Sequence, residues 1–136
     1  MAYVAGDITE ITVNHPSLGM KTFYPKAGES FTYDLGGIRS NDDEGGITGS
    51  GEVIRQMNNT RASVEGTIAW DANEAEELEY LNSLAADPAM ADWTISWSNG
   101  TVYGFKGFPA GPIQGDTNAG TIALKVSGSK MKKISG

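Results

Sequence analysis

The chain has no cysteine, one histidine and fewer basic than acidic residues, 10 against 17. The first absence excludes a disulfide scaffold and any thiolate metal site. The second leaves His15 as the sole imidazole, and it stands beside Pro16 in an expected turn, where it reads as surface decoration rather than a general base. The third, a net charge of -7, argues against non-specific attachment to nucleic acid, which needs an excess of Lys and Arg. No apolar run approaches the ~20 residues that span a bilayer, and MAYVAGDITE lacks the basic and apolar regions of a signal peptide, so synthesis in the cytoplasm is expected. No phosphate-binding loop or nucleophile elbow is present. An enzyme is the weakest reading, and neither cofactor nor metal is implied.

What the chain does have is alternation. In RASVEGTIAW, Ala62, Val64, Gly66, Ile68 and Trp70 share one face of a strand and Arg61, Ser63, Glu65, Thr67 and Ala69 the other. The period then becomes helical in DANEAEELEYLNSLAADP. Asp71 or Asn73 can cap the helix start, Asn73 with Glu76 resembling a capping box, and Glu74, Glu76 and Glu77 suit the positive end of the helix dipole. Ala75, Leu78, Leu81, Leu84 and Ala85 form the expected inward stripe, ended by Asp87-Pro88.

The rest supplies sheet. Asp7–Val13, Met20–Tyr24 and Glu29–Leu35 read as strands, the first broken by Asn14-His15-Pro16. Trp93–Trp97 and Thr101–Phe108 read as a hairpin about a type I′ turn at Asn99-Gly100, and Gly104 and Gly107 predict a bulge or the close approach of another backbone. Thr121–Ser127 is the last strand, with Ile122, Leu124 and Val126 dry and Thr121, Ala123, Lys125 and Ser127 wet. The tail from Lys130 is expected to fray. The 18 glycines, about twice the usual share of ~7%, fit a turn-rich β chain. The 136 residues predict one domain.

Gly36–Asn59 departs from this. It holds six glycines, the run Asp42-Asp43-Glu44 and scattered apolar residues, too few to bury a core of its own. Loops this long are functional or disordered in compact domains, so the segment is expected to be a mobile arm that orders against a neighbour. Charge is polarised as well: Asp71–Asp92 holds seven acidic residues and no basic one, while Lys125, Lys130, Lys132 and Lys133 gather near the end. That pattern fits solvated ends or attraction between copies. Asp116–Gly120 opens like a calcium loop, but position twelve is Ser127 instead of a bidentate Glu, so a turn explains it better. Trp93, Trp97 and Tyr103 leave open a sugar-stacking β-sandwich, though core aromatics are commoner.

The order of the pieces carries a resemblance. A Gly-rich loop, VEGTIAWD, a helix with LNSL, WTISWSNGTVYGFKGFPAGPI and GTIALKVSG together resemble the tail tube proteins of contractile-tailed, Mu-like bacteriophages over about Gly36–Gly128. The resemblance implies a β-sandwich or barrel flanked by one helix, with sheets joining between subunits into a closed tube of stacked hexameric rings. It implies a place in the virion tail, assembly in the host cytoplasm, and contact with sheath, tape measure and baseplate proteins. DNA would pass without specific binding, and no membrane is involved. On this reading Gly36, Arg39, Asp42, Asp43, Glu44, Glu52 and Arg55 belong to an inter-subunit arm. The lumen wall comes from Arg61, Ser63, Glu65 and Thr67 or from Thr121, Ala123, Lys125 and Ser127. Glu74, Glu76, Glu77 and Glu79 form an acidic helix on the outside. A type VI secretion or phage-like injection tube, carrying protein, fits the same residues.

Overall fold

A computed structural model describes residues 3–41, 45–71, 73 and 76–135. The described chain runs β1 (Ile8–His15), β2 (Gly19–Phe23), β3 (Thr32–Asp34), β4 (Gly37–Ser40), β5 (Gly46–Ile47), β6 (Val53–Ile54), β7 (Met57–Thr60), β8 (Ala62–Ala69), α1 (Glu76–Ala86), β9 (Ala91–Trp97), β10 (Val102–Pro109), β11 (Gly115–Asp116), β12 (Thr121–Gly128) and β13 (Lys132–Ser135). The fold is mainly β with one helix among the described residues. Its principal sheet is antiparallel, in the order β2-β1-β9-β10-β12-β8-β3, with β11 beside β12 and β13 beside β10.

The alternation in β8 and β12 produces the expected packing. The two strands pair over their whole length, from Ala62 opposite Gly128 to Ala69 opposite Thr121. Val64, Ile68, Ile122, Leu124 and Val126 are buried on one side. They share a single core with Ile11 and Val13 of β1, Trp93 and Ile95 of β9, and Leu81 and Leu84 of α1. β10 joins the two groups of strands. One edge pairs with β9 over Val102–Gly107, while the other takes β13 at Val102–Gly104 and β12 at Gly107–Pro109. At the β10–β12 crossing the backbones touch: a Cβ on Gly128 would lie 2.1 Å from the Lys106 carbonyl oxygen, and one on Gly107 would lie 2.5 Å from that of Ser127. The close approach expected at Gly107 is thus present, and its partner is Gly128. The chain leaving β2 also reaches the far side of β8, where Lys26 N–H donates to Thr67 O and Ala69 N–H to Tyr24 O.

Several boundaries differ from expectation. β1 continues through Asn14 and His15, which pair with Met20 and Gly19, and the chain turns only at Pro16–Leu18. His15 is not surface decoration. It is 1% exposed; Nδ1 accepts the N–H groups of Ser17 and Leu18 at 3.0 and 3.1 Å, and Nε2 lies 3.6 Å from Asp87 Oδ2. β3 covers only Thr32–Asp34, because the preceding Phe31 folds its ring over Gly66, which has no side chain to obstruct it. Lys132–Ser135 is a strand on β10 rather than a frayed tail.

The β9–β10 bend is not the type I′ turn. Gly100 N–H donates to Trp97 O at 3.1 Å and Trp97 N–H to Thr101 O at 2.9 Å, which makes Ser98 and Asn99 the central residues and Gly100 (φ 89°) the left-handed bulge that follows. The described part of α1 starts at Glu76, and Asn73 donates its N–H to Asp71 Oδ1 at 3.0 Å; residues 74 and 75, between Asn73 and Glu76, lie outside the described residues. Of the expected stripe, Leu81 and Leu84 are buried and Leu78 is half-buried. Ala85 lies past the edge of the contact and is exposed, and Ala75 lies outside the described residues. Asp116 closes an ordinary turn by accepting the N–H groups of Asn118 and Ala119 on Oδ1.

Candidate functional site

The Gly36–Asn59 segment is a β-ribbon, not a structureless loop. β4 pairs with β7 from Gly37 opposite Thr60 to Ser40 opposite Met57, and β5 pairs with β6 through Gly46–Ile54 and Ile47–Val53. Between these ladders Asn41 N–H donates to Gln56 O, and the tip closes with Thr48 N–H to Glu52 O and Gly51 N–H to Thr48 O, Gly51 having φ 96°. The two ladders pair the ribbon's strands with each other, yet little covers the described apolar side chains. Ile38 is 70% exposed, Ile47 66% and Val53 79%, with Ile54 and Met57 also half open. Among the described residues neither two-stranded ladder pairs with the principal sheet, so β4–β7 have no further strand along their outer borders.

The root of the ribbon is fixed. Gly36 (φ 76°) passes so near β8 that a Cβ would lie 2.7 Å from Ala62 N. Arg39 Nη1 donates to Asp34 Oδ2 at 2.8 Å, its Nη2 donates to Oδ1, and Gly36 N–H donates to the same carboxylate. The Arg39 guanidinium, aided by that N–H, holds the Asp34 carboxyl below the ordinary carboxylate range. A depressed carboxyl stabilises the folded form above its unfolded value and ceases to as pH falls through its folded one. Acidification below about pH 4, the ordinary Asp value, should therefore loosen the root. Amide exchange at Gly37–Ser40, corrected for its intrinsic pH dependence, should rise there before exchange in β8 does. Arg39→Ala should give the same rise at neutral pH; unchanged protection in that variant would refute the anchor.

Of the expected arm residues, Gly36 and Arg39 stand at this root. Arg55 Nε donates to Ser40 Oγ across the ribbon, and Glu52 is exposed near its tip. Asp42, Asp43 and Glu44 lie outside the described residues.

The two expected wall sets lie side by side on the outward face of β8 and β12. Glu65 is directly opposite Lys125, Thr67 opposite Ala123 and Ser63 opposite Ser127, with Arg61 exposed just before β8. Two of these residues are not available. Thr121 (9% exposed) and Ser127 (6%) are buried, each shadowed because its short side chain sits in a strand flanked on both edges: Asp116 and Ala69 beside Thr121, Phe108 and Ser63 beside Ser127. Glu65, Thr67, Ala123 and Lys125 instead line a shallow depression bordered by Ala110, Pro112 and Gln114 of the following connection.

A second outward face was not singled out from sequence. The register aligns Thr22, Thr12, Thr94, Gly104 and Lys132 in one row across β2, β1, β9, β10 and β13. The Thr12 and Thr22 hydroxyls meet at 3.4 Å. The signal was present in the polar alternates of β1 and β9, but only pairing reveals that they form one flat bed.

The outer glutamates behave differently from one another. Glu76 pairs with Lys21 at 3.2 Å, Glu79 is exposed, and Glu77 is half-buried with Oε2 lacking a partner. Glu74 lies outside the described residues. The aromatic trio forms no platform: Trp93 is 1% exposed and donates Nε1–H to Gly107 O at 3.1 Å, while Trp97 stands edge-on to Tyr33 at 5.3 Å. Tyr103 is half-buried, also against Tyr33. Compared with known protein families and with characterised proteins, the chain matches none.

Proposed function

We propose that this chain is a structural subunit that assembles with its own copies into a hollow tube, as the tail tube proteins it resembles do. The observation that carries this reading is the ribbon of residues 37–60, with its paired backbone, open borders and uncovered Ile38, Ile47 and Val53. A paired ribbon that leaves Ile38, Ile47, Val53, Ile54 and Met57 open gains by being covered, and a second copy is the partner the reading supplies. The tube is built of hexameric rings in which sheets join between subunits, removing their exposed edges. Its partners are the sheath, tape measure and baseplate proteins of a virion tail, and its work is passage of DNA rather than reaction. A tube carrying protein is the alternative within the same architecture. The sugar-binding alternative loses Trp93 to the core.

The wall on this reading is the Glu65–Lys125 face. Opposed charges and small neighbours give it little net attraction for phosphate, as passage requires. Glu65→Lys would set two lysines opposite each other and offer DNA an added, salt-sensitive contact. That variant should form normal tubes in particles whose DNA release is slowed severalfold, more at low salt than at high. Release at the normal rate would remove Glu65 from the wall. Negative-stain microscopy of the concentrated protein tests the reading as a whole: rings or tubes are expected, and uniform monomeric particles at every concentration would overturn it.

A further inference from the structure

Lys106 of β10, Lys132 of β13 and Lys130 just before β13 have no ion pair among the described residues. Lys106, Lys130 and Lys132 line one depression with Thr94, Gly104 and Ile134. No carboxylate of the described residues forms an ion pair with any of the three, although Asp92 stands directly across from Lys106. A cluster of three lysines without a carboxylate partner among the described residues is unexpected in a chain of net charge -7. Its floor is flat, because Gly104 has no side chain, and Ile134 lies over it 64% exposed. Lys130 rests its stem against Gly37, so the depression adjoins the root of the ribbon.

The complementary surface is on the other side of the same sheet. α1 covers the dry face through Leu81 and Leu84. Its outward ridge is Glu76, Glu79, Ser83 and Ala86, spaced i, i+3, i+7 and i+10, all exposed. Glu76 meets Lys21 at 3.2 Å, a pair open to solvent on the glutamate side that docking would share or exchange, and two carboxylates followed by two small residues make a ridge that can lie close on a flat bed. Asp92, Thr94, Gly104 and Lys106 face away from the buried Trp93 and Phe105, so the lysine bed and the helix ridge occupy opposite faces of β9–β10. One molecule cannot bring them together.

We propose that the acidic ridge of α1 docks on the Lys106–Lys130–Lys132 bed of a second copy. This rests on the assembly reading and deepens it. Because donor and acceptor surfaces differ and lie on opposite faces, the contact is heterologous, and repeating it generates a closed ring or a filament, not an isolated two-fold dimer. It places the helix between subunits, where the resemblance alone had put it against a sheath.

The test uses charge reversal in the full chain. Lys106→Glu with Lys132→Glu makes both surfaces acidic; Glu76→Lys with Glu79→Lys makes both basic. Each variant alone should self-associate at least about tenfold more weakly than the unaltered protein at low salt, with melting temperature and circular dichroism showing that it is folded. An equal mixture should assemble as alternating copies to within about threefold of the unaltered protein, and lose that advantage as salt rises. Either variant assembling normally alone, or a mixture no better than its parts, overturns the docking while leaving the ring reading intact. Failure of the unaltered protein to associate at any concentration overturns both. Retention of a labelled DNA duplex that Lys106→Glu with Lys132→Glu abolishes would assign the bed to phosphate and also overturn the proposal.

Discussion

Replacing Ile47 by Lys and Val53 by Glu should abolish assembly while leaving the subunit folded. The two residues are direct partners in the β5–β6 ladder and share one face of the ribbon, 66% and 79% exposed. An opposite-charge pair at those positions keeps a favourable cross-strand contact, so the ribbon itself is retained. With nothing packed on them in the subunit, the change should alter its stability by no more than about 0.5 kcal/mol. In an assembly that covers both, burial contributes about 1.5–3 kcal/mol for each residue. Losing roughly 3 kcal/mol or more per contact weakens association at least about a hundredfold. Sedimentation should then find monomers at concentrations where the unaltered chain forms rings, with the same melting temperature. Tubes of normal length from this double variant would show that the ribbon tip is not part of the contact.

The ribbon is also where sequence reasoning and structure part. β8 and β12 were legible because each buries one face, so their alternation in Val64, Ile68, Ile122, Leu124 and Val126 records the core directly. Leu78, Leu81 and Leu84 of α1 were legible for the same reason. Apart from Gly37, no residue of β4–β7 is buried, and their apolar residues follow no period because no core selects one; only the pairing of their backbones makes them strands. β13 was missed similarly: its two lysines conceal a strand whose partner, β10, is some thirty residues away in sequence. Burial of His15 could not be read from Asn-His-Pro, since it depends on Asp87 and on the turn that points two N–H groups at the ring. For the candidate wall, the period gave the outward face, but Thr121 and Ser127 are shadowed by neighbouring strands whose pairing with β12 the period does not identify.

Gly128→Ala should be the most damaging single methyl in the molecule, and the reason is local. The added carbon would lie 2.1 Å from the Lys106 carbonyl oxygen and 2.7 Å from the Gly107 Cα. Both obstacles are backbone. They cannot rotate aside, and moving them separates β12 from β10 over the three pairs that join the two groups of strands. Overpacking of this kind typically costs about 1–3 kcal/mol where side chains can adjust, so about 3–4 kcal/mol is expected here. That is a large part of the about 5–15 kcal/mol a domain has, and lowers the melting temperature by roughly 10–15 °C. Gly104→Ala, in the same pair of strands, supplies the contrast. Its nearest obstacle, at 2.5 Å, is the Ile134 Cδ1 of an exposed side chain that can swing into solvent, so its cost should stay below about 1 kcal/mol. Thermal denaturation of the two variants side by side checks the crossing. If both melt alike, the β10–β12 contact yields as readily as a surface isoleucine, and the joint between the two groups of strands is not the rigid element that holds the ribbon root and the lysine bed in register.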